Sequence, residues 1–231
     1  MKYAAIDTPP PAGLRIKPSE FFWMAQAPQV TVFTSGSGTY TTPVACLFLL
    51  VEMVGGGGGS SGTPGTVGLG TAGGNTTFGS SFLSANGGAG GLFNESVASG
   101  GTASGGDLNI TGAQGAGPVA NASVTSTNLG AGSGGSSCFG GGGAGAAGST
   151  GGNAATNSGS GGAGGGGNTT SGIYLAGGGG AGGYCRKLIT SPATSYSYAV
   201  GSGGAGAAAG TSGEAGGNGA AGLIVVTAFF A

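Results

Sequence analysis

The residue types that usually perform catalysis are scarce in this 231-residue sequence. It contains no histidine, so neither Ser-His-Asp nor Cys-His nucleophilic catalysis is available to it. Cys46, Cys138 and Cys185 lie far apart without a CxxC pair, and no histidine can complete a zinc site. We therefore expect that the protein is not an enzyme and that it binds neither a metal ion nor a cofactor.

Two weaker catalytic signals also favour structural interpretations. Glu95 and Asp107 are the only charged residues between Glu52 and Arg186, but nothing beside them sets two different pKa values, which favours solvated loop charges. Residues 68–73 and 130–135 both match GxGxxG. Neither match follows a predicted strand or begins a helix, so neither predicts a dinucleotide site.

Binding through aromatic side chains is the chemistry that the sequence does favour. Short insertions at 75–78, 92–95, 136–139 and 169–175 place apolar residues beside small polar ones. The candidates for receptor contact are Phe78, Phe93, Asn94, Phe139 and Tyr174. The alternative is that these aromatic side chains belong to the core.

Charge limits the partners. The sequence has five Lys and Arg against six Asp and Glu, so it offers no basic patch for nucleic acid or anionic lipid. Its most apolar run, residues 45–51, is too short to cross a bilayer, which takes about 20 residues. We expect contacts through shape, hydrogen bonds and apolar surface.

Strand-forming runs at both ends of the chain must position these candidates. The predicted strands are 30–34, 39–42, 46–54, 183–190, 195–200 and 223–230. The apolar run 45–51 predicts burial on both faces, and 195–200 is expected to return as the partner of 183–190. The sequence therefore predicts an all-β fold, a small β-sandwich built from strands of both chain ends.

Between these ends, glycines recur at every third position in several runs, for example in residues 213–222. A period of three is typical of the extended polyproline II type of helix, and glycine lets such helices approach closely. Collagen needs far more proline than this region contains. We expect a bundle of polyglycine II-type helices; chance spacing in a chain with 62 glycines is the alternative.

Residues 1–30 differ from the rest of the chain, the glycine-rich β domain 31–231. They contain the apolar cluster Phe21, Phe22, Trp23 and Met24. An exposed cluster of this kind is a liability on a lone monomer, so we interpret residues 1–30 as a docking or oligomerisation segment. The alternative is that the cluster folds back onto the body as core.

Several stretches resemble the glycine-rich domain of bacteriophage tail-fibre and tail-tip adhesin proteins. They are Val32-Phe33-Thr34-Ser35-Gly36-Ser37-Gly38-Thr39-Tyr40-Thr41-Thr42-Pro43, Val51-Glu52-Met53-Val54 with the five glycines that follow, Phe78–Gly88, Gly182-Gly183-Tyr184, Tyr198–Gly206 and Gly217–Val226. The resemblance covers about residues 31–231 and is specific in the strand and glycine stretches at the two ends of this range.

The resemblance implies a role in host recognition. It implies a virion-surface protein, assembled in the host cytoplasm, that binds a host surface glycan or an outer-membrane protein. It further implies a homotrimer whose N-terminus, Phe21 to Met24 included, docks on other virion proteins. The alternative is a capsid-bound head fibre or decoration protein, distinguished by docking on a capsid lattice instead of a tail.

Two further classes are disfavoured. A glycine-helix antifreeze protein needs a flat face of regularly spaced Thr or Ala and lacks strand-rich ends. A secreted eukaryotic glycine-rich domain needs a signal peptide and paired cysteines, whereas residues 1–14 predict no signal peptide and three cysteines cannot all pair within one chain.

Overall fold

The computed structural model describes residues 26–63, 68–93, 96–117, 130–145, 148–166, 176–211 and 213–230. These residues contain no helix. The strands are β1 (Gln29–Phe33), β2 (Ser37–Thr41), β3 (Cys46–Val54), β4 (Thr76–Phe78), β5 (Leu83–Ala85), β6 (Ala103–Ser104), β7 (Leu108–Ile110), β8 (Tyr184–Ile189), β9 (Ser195–Ala199) and β10 (Leu223–Phe230). The prediction of an all-β protein is confirmed.

The strands form two five-stranded sheets, in which every strand pair is antiparallel. Sheet A has the order β1-β10-β3-β8-β7, and sheet B has the order β2-β9-β4-β5-β6. Strands from the two chain ends pair directly, as β10 does with β1 and β3. The arrangement is that of a β-sandwich in which both termini contribute, as the sequence predicted.

The core lies between the two sheets and is built by alternation along the strands. Leu49, Val51 and Met53 point inward from β3, and Ile224 and Val226 point inward from β10. Sheet B contributes aromatic rings to the core. The ring centroid of Tyr198 lies 4.0 Å from that of Phe33 in sheet A, and the centroids of Phe78 and Tyr196 lie 4.8 Å apart. Burial of these side chains is the main contribution that holds the sheets together.

One predicted pairing is wrong. Strand β9 does not return beside β8; it pairs with β2 and β4 in sheet B, whereas β8 pairs with β3 and β7 in sheet A. The chain crosses between the sheets over residues 190–194. This crossing places Tyr196 and Tyr198 opposite Cys185 and Ile189, so that both strands bury their inward side chains in the same core.

The sequence prediction also missed the four short strands β4 to β7. Each has two or three residues within glycine-rich surroundings, too few for a period of two to be visible. Two of them also pair with remote strands, β4 with β9 and β7 with β8, while β5 pairs with its sequence neighbours β4 and β6. These strands complete one side of both sheets.

The strands continue into extended glycine-rich segments that lie side by side. The segments cover residues 55–63, 68–75, 86–93, 96–102, 111–117, 130–136, 141–145, 148–153, 159–166, 176–183, 200–211 and 213–222. Hydrogen bonds between backbone groups join segments that are far apart in sequence. We call this set of segments the glycine region.

The hydrogen bonds of residues 55–63 repeat every three residues. Successive N–H groups donate to three different neighbouring segments, with N···O distances of 2.8–3.2 Å. The donor–acceptor pairs are Gly55–Gly183, Gly58–Gly180 and Ser61–Gly177 for one neighbour, Gly56–Gly74 and Gly59–Thr71 for the second, and Gly57–Ala220, Ser60–Gly217 and Thr63–Glu214 for the third. The acceptor numbers fall as the donor numbers rise, so these neighbours run antiparallel to residues 55–63.

Close backbone approach explains why these positions are glycine. A Cβ atom added to Gly57 would stand closer than 3.0 Å to the carbonyl group of Ser160, and one added to Gly182 would meet the backbone of Gly55 equally closely. Neighbouring backbones cannot move apart without losing their hydrogen bonds. The glycine content therefore serves lateral packing of backbones.

The sandwich and the opposite end of the glycine region are distinct. Residues 55–63 leave the sandwich from β3, and residues 176–183 and 213–222 return to it at β8 and β10. The other end, which we call the far end, contains Thr63, Phe93, Thr150, Ala176 and Glu214. There Thr63 N–H donates to Glu214 O at 2.8 Å, Thr150 Oγ1 donates to Glu214 Oε2 at 3.1 Å, and Phe93 forms an isolated bridge with Ala176.

Candidate functional site

The outward side of sheet A is apolar, which sets it apart from the solvated side of an ordinary antiparallel sheet. Because side chains alternate along a strand, the partners of outward residues also point outward. We call this set the sheet A face: Val30, Val32, Phe48, Leu50, Glu52, Leu108, Ile110, Arg186, Leu188, Val225, Thr227 and Phe229. Val30 is 58% exposed and Val32 is 52% exposed, while Leu108 and Leu188 are each 45% exposed.

A shallow groove crosses the middle of this face. Its volume is about 360 Å³, and its walls combine residues that are remote in sequence. The lining residues are Phe48, Leu50, Asp107, Leu108, Arg186, Leu188 and Phe229. The rings of Phe48 and Phe229 stack with centroids 4.6 Å apart and an interplanar angle of 15°. The groove is thus an apolar depression with one acid and one base among its lining residues.

Charge on the sheet A face is confined to one opposed pair. Glu52 of β3 and Arg186 of β8 are directly opposite partners in the strand register. The hydroxyl of Tyr184 donates to Glu52 Oε1 at 2.6 Å. Burial, together with this hydrogen bond, raises the pKa of the Tyr184 hydroxyl well above its usual range, so it remains a donor throughout the physiological pH range.

Asp107 fixes the edge of the sheet beside the groove. Its carboxylate accepts a hydrogen bond from Leu188 N at 2.9 Å and an ion-paired one from Lys187 Nζ at 3.2 Å. The hydrogen bond from the Leu188 backbone, followed by that from Lys187, holds the pKa of Asp107 below its usual value. Lys187 Nζ also lies 5.5 Å from the centroid of the exposed Phe82 ring. The acid therefore serves the local structure of the turn before β7.

The candidate Phe139 lies at the glycine end of this face. Its ring is 6.0 Å from that of Tyr184, and 37% of the residue is exposed. The turn is closed by the bridge between Ser137 and Gly140, and Ser137 Oγ donates to Ser158 O. Phe139 is thus a contact candidate next to the sheet A face, remote from Phe93 at the far end.

The remaining contact candidates are dispersed. Phe78 is fully buried in the core of the sandwich, so its assignment as a receptor contact is wrong: its ring packs against Tyr40 and Tyr196. Phe93 is half-buried at the far end. The candidates that lie outside the described residues are Asn94, Tyr174, Phe21, Phe22, Trp23 and Met24.

The outward side of sheet B contrasts with the sheet A face. It carries hydroxyl side chains at nearly every outward position, in register across the strands. We call this set the sheet B face: Ser37, Thr39, Thr41, Thr77, Ser84, Ser104, Ser195, Ser197 and Ala199. These small polar groups remain hydrated, which is what an outward sheet surface usually requires.

Sequence reasoning missed the sheet A face because it interpreted residues 45–51 as buried on both sides. Leu49 and Val51 are fully buried, but Phe48 and Leu50 point outward and are only partly covered. A usable signal was present. Strands β3 and β10 are apolar at both alternate positions, whereas β2 and β9 alternate aromatic residues with Ser and Thr.

All three cysteines are free thiols. Cys185 is buried, Cys46 is partly buried and Cys138 is exposed. Burial raises the pKa of the Cys185 thiol, which lowers its reactivity. Among the described residues, no group of three His, Cys, Asp or Glu side chains is placed to hold a metal ion, and no helix is long and apolar enough to span a membrane.

Comparison with known proteins gives no relative. No family model matches the chain, and no curated protein or solved structure matches it. The protein class is therefore defined by the fold itself: an all-β protein with two antiparallel sheets and a glycine region.

Proposed function

We propose that this chain is a non-enzymatic structural protein of a bacteriophage virion, a tail-fibre or tail-tip protein that attaches the particle to the host cell. The observation that carries the proposal is the three-residue period of the hydrogen bonds in the glycine region. Together with the resemblance of residues 31–231 to tail-fibre adhesins, it favours a rigid distal module whose loops contact a receptor.

We interpret the segments of the glycine region as polyglycine II-type helices. Such a helix has three residues per turn, so its N–H groups point in three directions about 120° apart. Residues 176–183 fit this description as donors to three further neighbours. Their pairs are Gly177–Leu92, Gly180–Ala89 and Gly183–Asn86, then Gly178–Ala116 and Ala181–Ala113, then Gly179–Gly162 and Gly182–Gly159. A bundle joined in this way is stiff without a large apolar core.

The far end is the proposed receptor-binding end. Chain reversals converge there, because Thr63, Phe93, Ala176 and Glu214 all neighbour points where one glycine segment gives way to the next. Phe93 is a half-buried aromatic residue among small polar ones, a composition suited to sugar or protein contacts. The proposed receptor is a host surface glycan or an outer-membrane protein.

Attachment and assembly complete the proposal. Residues 1–30, with Phe21 to Met24, would dock the protein on other virion proteins, and the resemblance implies a homotrimer. In the described residues, β1 is an edge strand of sheet A and belongs to the sandwich, at the opposite end of the domain from the far end.

Binding of the full chain to bacterial cells tests the proposal. The labelled protein is incubated with a panel of strains, and competition with phage adsorption is measured on the strains that bind. We expect strain-specific binding that blocks adsorption and that Phe93→Ser weakens. Ser84→Ala, on the sheet B face, is the control that leaves binding unchanged. A folded protein that binds no strain, or that assembles on capsids instead, would overturn the attachment role.

A further inference from the structure

We infer that the sheet A face is a self-association surface, covered by a second copy of this chain in a face-to-face, two-fold arrangement. Apolar residues occupy most outward positions on all five strands, and those on the edge strands β1 and β7 are about half exposed. Contiguous exposed apolar surface of this kind on a soluble domain marks an interaction site. This inference does not depend on the attachment role.

The size of the face suits a weak but specific dimer. A two-fold axis between β3 and β8 overlays the four strands β10, β3, β8 and β7, which lie about 4.8 Å apart, average about six residues and present roughly 400 Å². Standard interfaces bury roughly 800 Å² per partner, and weaker ones less than about 600 Å². The surface therefore falls in the size range of weak interfaces, and its groove gives the second copy a place to interdigitate.

The single charge pair makes the face complementary to itself. Glu52 and Arg186 lie side by side on adjacent strands β3 and β8. A two-fold axis that runs along the strands between β3 and β8 sets Glu52 of one copy against Arg186 of the second copy, and the reverse. A partner of high net charge finds no such complement on this face.

The apolar rows of the face match under the same axis. Leu50 and Leu188 are direct partners across β3 and β8, so each meets the other in the second copy. In the next row, Val225 pairs with Glu52 and Leu108 pairs with Arg186, on opposite sides of the axis. The operation therefore places Val225 on Leu108. One rotation satisfies the charges and buries the exposed leucines together.

The two-fold arrangement differs from the homotrimer that the resemblance implies. Face-to-face packing uses up this surface in a pair, so a trimer would require another surface. The stoichiometry of the oligomer consequently distinguishes the two proposals, and failure of one leaves the other standing.

The test is the molar mass of the full chain by sedimentation equilibrium over about 1 to 200 µM. We expect a reversible monomer–dimer equilibrium. Leu188→Glu should raise the dissociation constant at least about 100-fold, since it buries an unpaired carboxylate against apolar surface. Leu108→Glu, on a different strand, should do the same. Both positions are 45% exposed, which allows the variants to fold.

Val44→Glu is the matched control. Val44 is 94% exposed in the turn before β3 and is not one of the residues of the sheet A face, so the same substitution there should leave the dimer unchanged. Circular dichroism and thermal unfolding verify that each variant is folded. A chain that is monomeric at every concentration overturns the inference. A trimer, or a dimer insensitive to both Glu substitutions, overturns it as well.

Discussion

The two outward faces of the sandwich have the same strand architecture but different side chains. Both sheets have five antiparallel strands and share one core, yet the sheet B face carries hydroxyl groups and the sheet A face carries valine, leucine and phenylalanine. In sheet B, the outward residues Thr39 and Ser197 are direct partners on adjacent strands. In sheet A, the outward direct partners are Leu50 and Leu188. The composition of the outward positions thus distinguishes a polar surface from an exposed apolar one.

Inward and outward apolar residues contribute at different stages: the inward ones when the chain folds, the outward ones of sheet A when a second surface covers them. Both sheets contribute inward side chains to one core, fully buried ones from β3 and β10 and partly buried tyrosines from β9. The outward apolar residues of sheet A add little to that core because they are half exposed. Their contribution comes when a second surface removes them from water, at roughly 25 cal/mol per Å² of apolar area.

The largest effect is expected from a substitution in the glycine region, at a position where two backbones pack closely. A Cβ at Gly57 would stand closer than 3.0 Å to the backbone of Ser160, so Gly57→Ala should destabilise the fold by more than about 4 kcal/mol or abolish it. At Gly141 a Cβ meets nothing within 4 Å, and Gly141→Ala should be neutral or stabilise by up to about 1 kcal/mol. Chemical denaturation of both variants measures the difference; equal stabilities would contradict the role of close packing.

A smaller effect is expected from the hydroxyl of Tyr184, which donates a hydrogen bond to Glu52 of the sheet A face. Tyr184→Phe removes the hydrogen bond to Glu52 and leaves a partly buried carboxylate with one donor fewer. We expect a loss of about 1–2 kcal/mol in the free energy of unfolding, measured by urea denaturation. Tyr198→Phe is the aromatic control: its ring stacks on Phe33, so loss of the hydroxyl should cost less. A larger loss at Tyr198 would reverse the comparison.

Exchanging apolar and hydroxyl side chains between the two faces should change how much hydrophobic dye the protein binds, with little change in the free energy of unfolding. Replacing Val32 and Leu188 by Thr should lower the binding of a hydrophobic dye, and replacing Thr39 and Thr41 by Val should raise it. Because all four positions are exposed at a sheet surface, unfolding free energies should change by less than about 1 kcal/mol. The measurement is made in dilute solution, where copies are apart. Equal dye binding before and after both exchanges would remove the distinction between the faces.

The smallest effect is expected from Asp107, at the exposed edge of sheet A. Its pKa is lowered in the folded protein, so its hydrogen bonds stabilise the fold above the unfolded pKa of about 3.9. That contribution is lost as the pH falls below about 4, through the folded pKa. Melting temperatures measured from pH 6 down to about pH 2.5 should fall less for Asp107→Asn than for the unchanged protein. Parallel curves would contradict this assignment.

Long strands could be predicted from the sequence, and short ones could not. Strands β3 and β10 were predicted with their observed bounds because each is a long apolar run that ends at glycine or begins after it. The pairing of β8 and β9 was predicted wrongly, because the loop 190–194 does not reveal that the chain changes sheet there. Strands β4 and β7 pair with the remote strands β9 and β8, which no local pattern reports, and β5 and β6 are too short to show a period of two.

The same limit applies to the site. Phe78 stands among Asn75, Thr76 and Thr77, which is typical of a loop, but its pairing with Tyr198 brings it into the core. The groove on sheet A combines Phe48, Leu108 and Phe229, which only the order of the strands brings together. Alternation within one strand was readable; adjacency between strands was not.

The three-residue hydrogen-bond period also governs how the length of this protein can change in evolution. One residue inserted into 176–183 would shift every later N–H group out of the three-residue period and direct it at the wrong neighbour. Three inserted residues would restore the pairing of each donor. Length changes inside the glycine region should therefore survive selection in multiples of three, as insertions do in a reading frame.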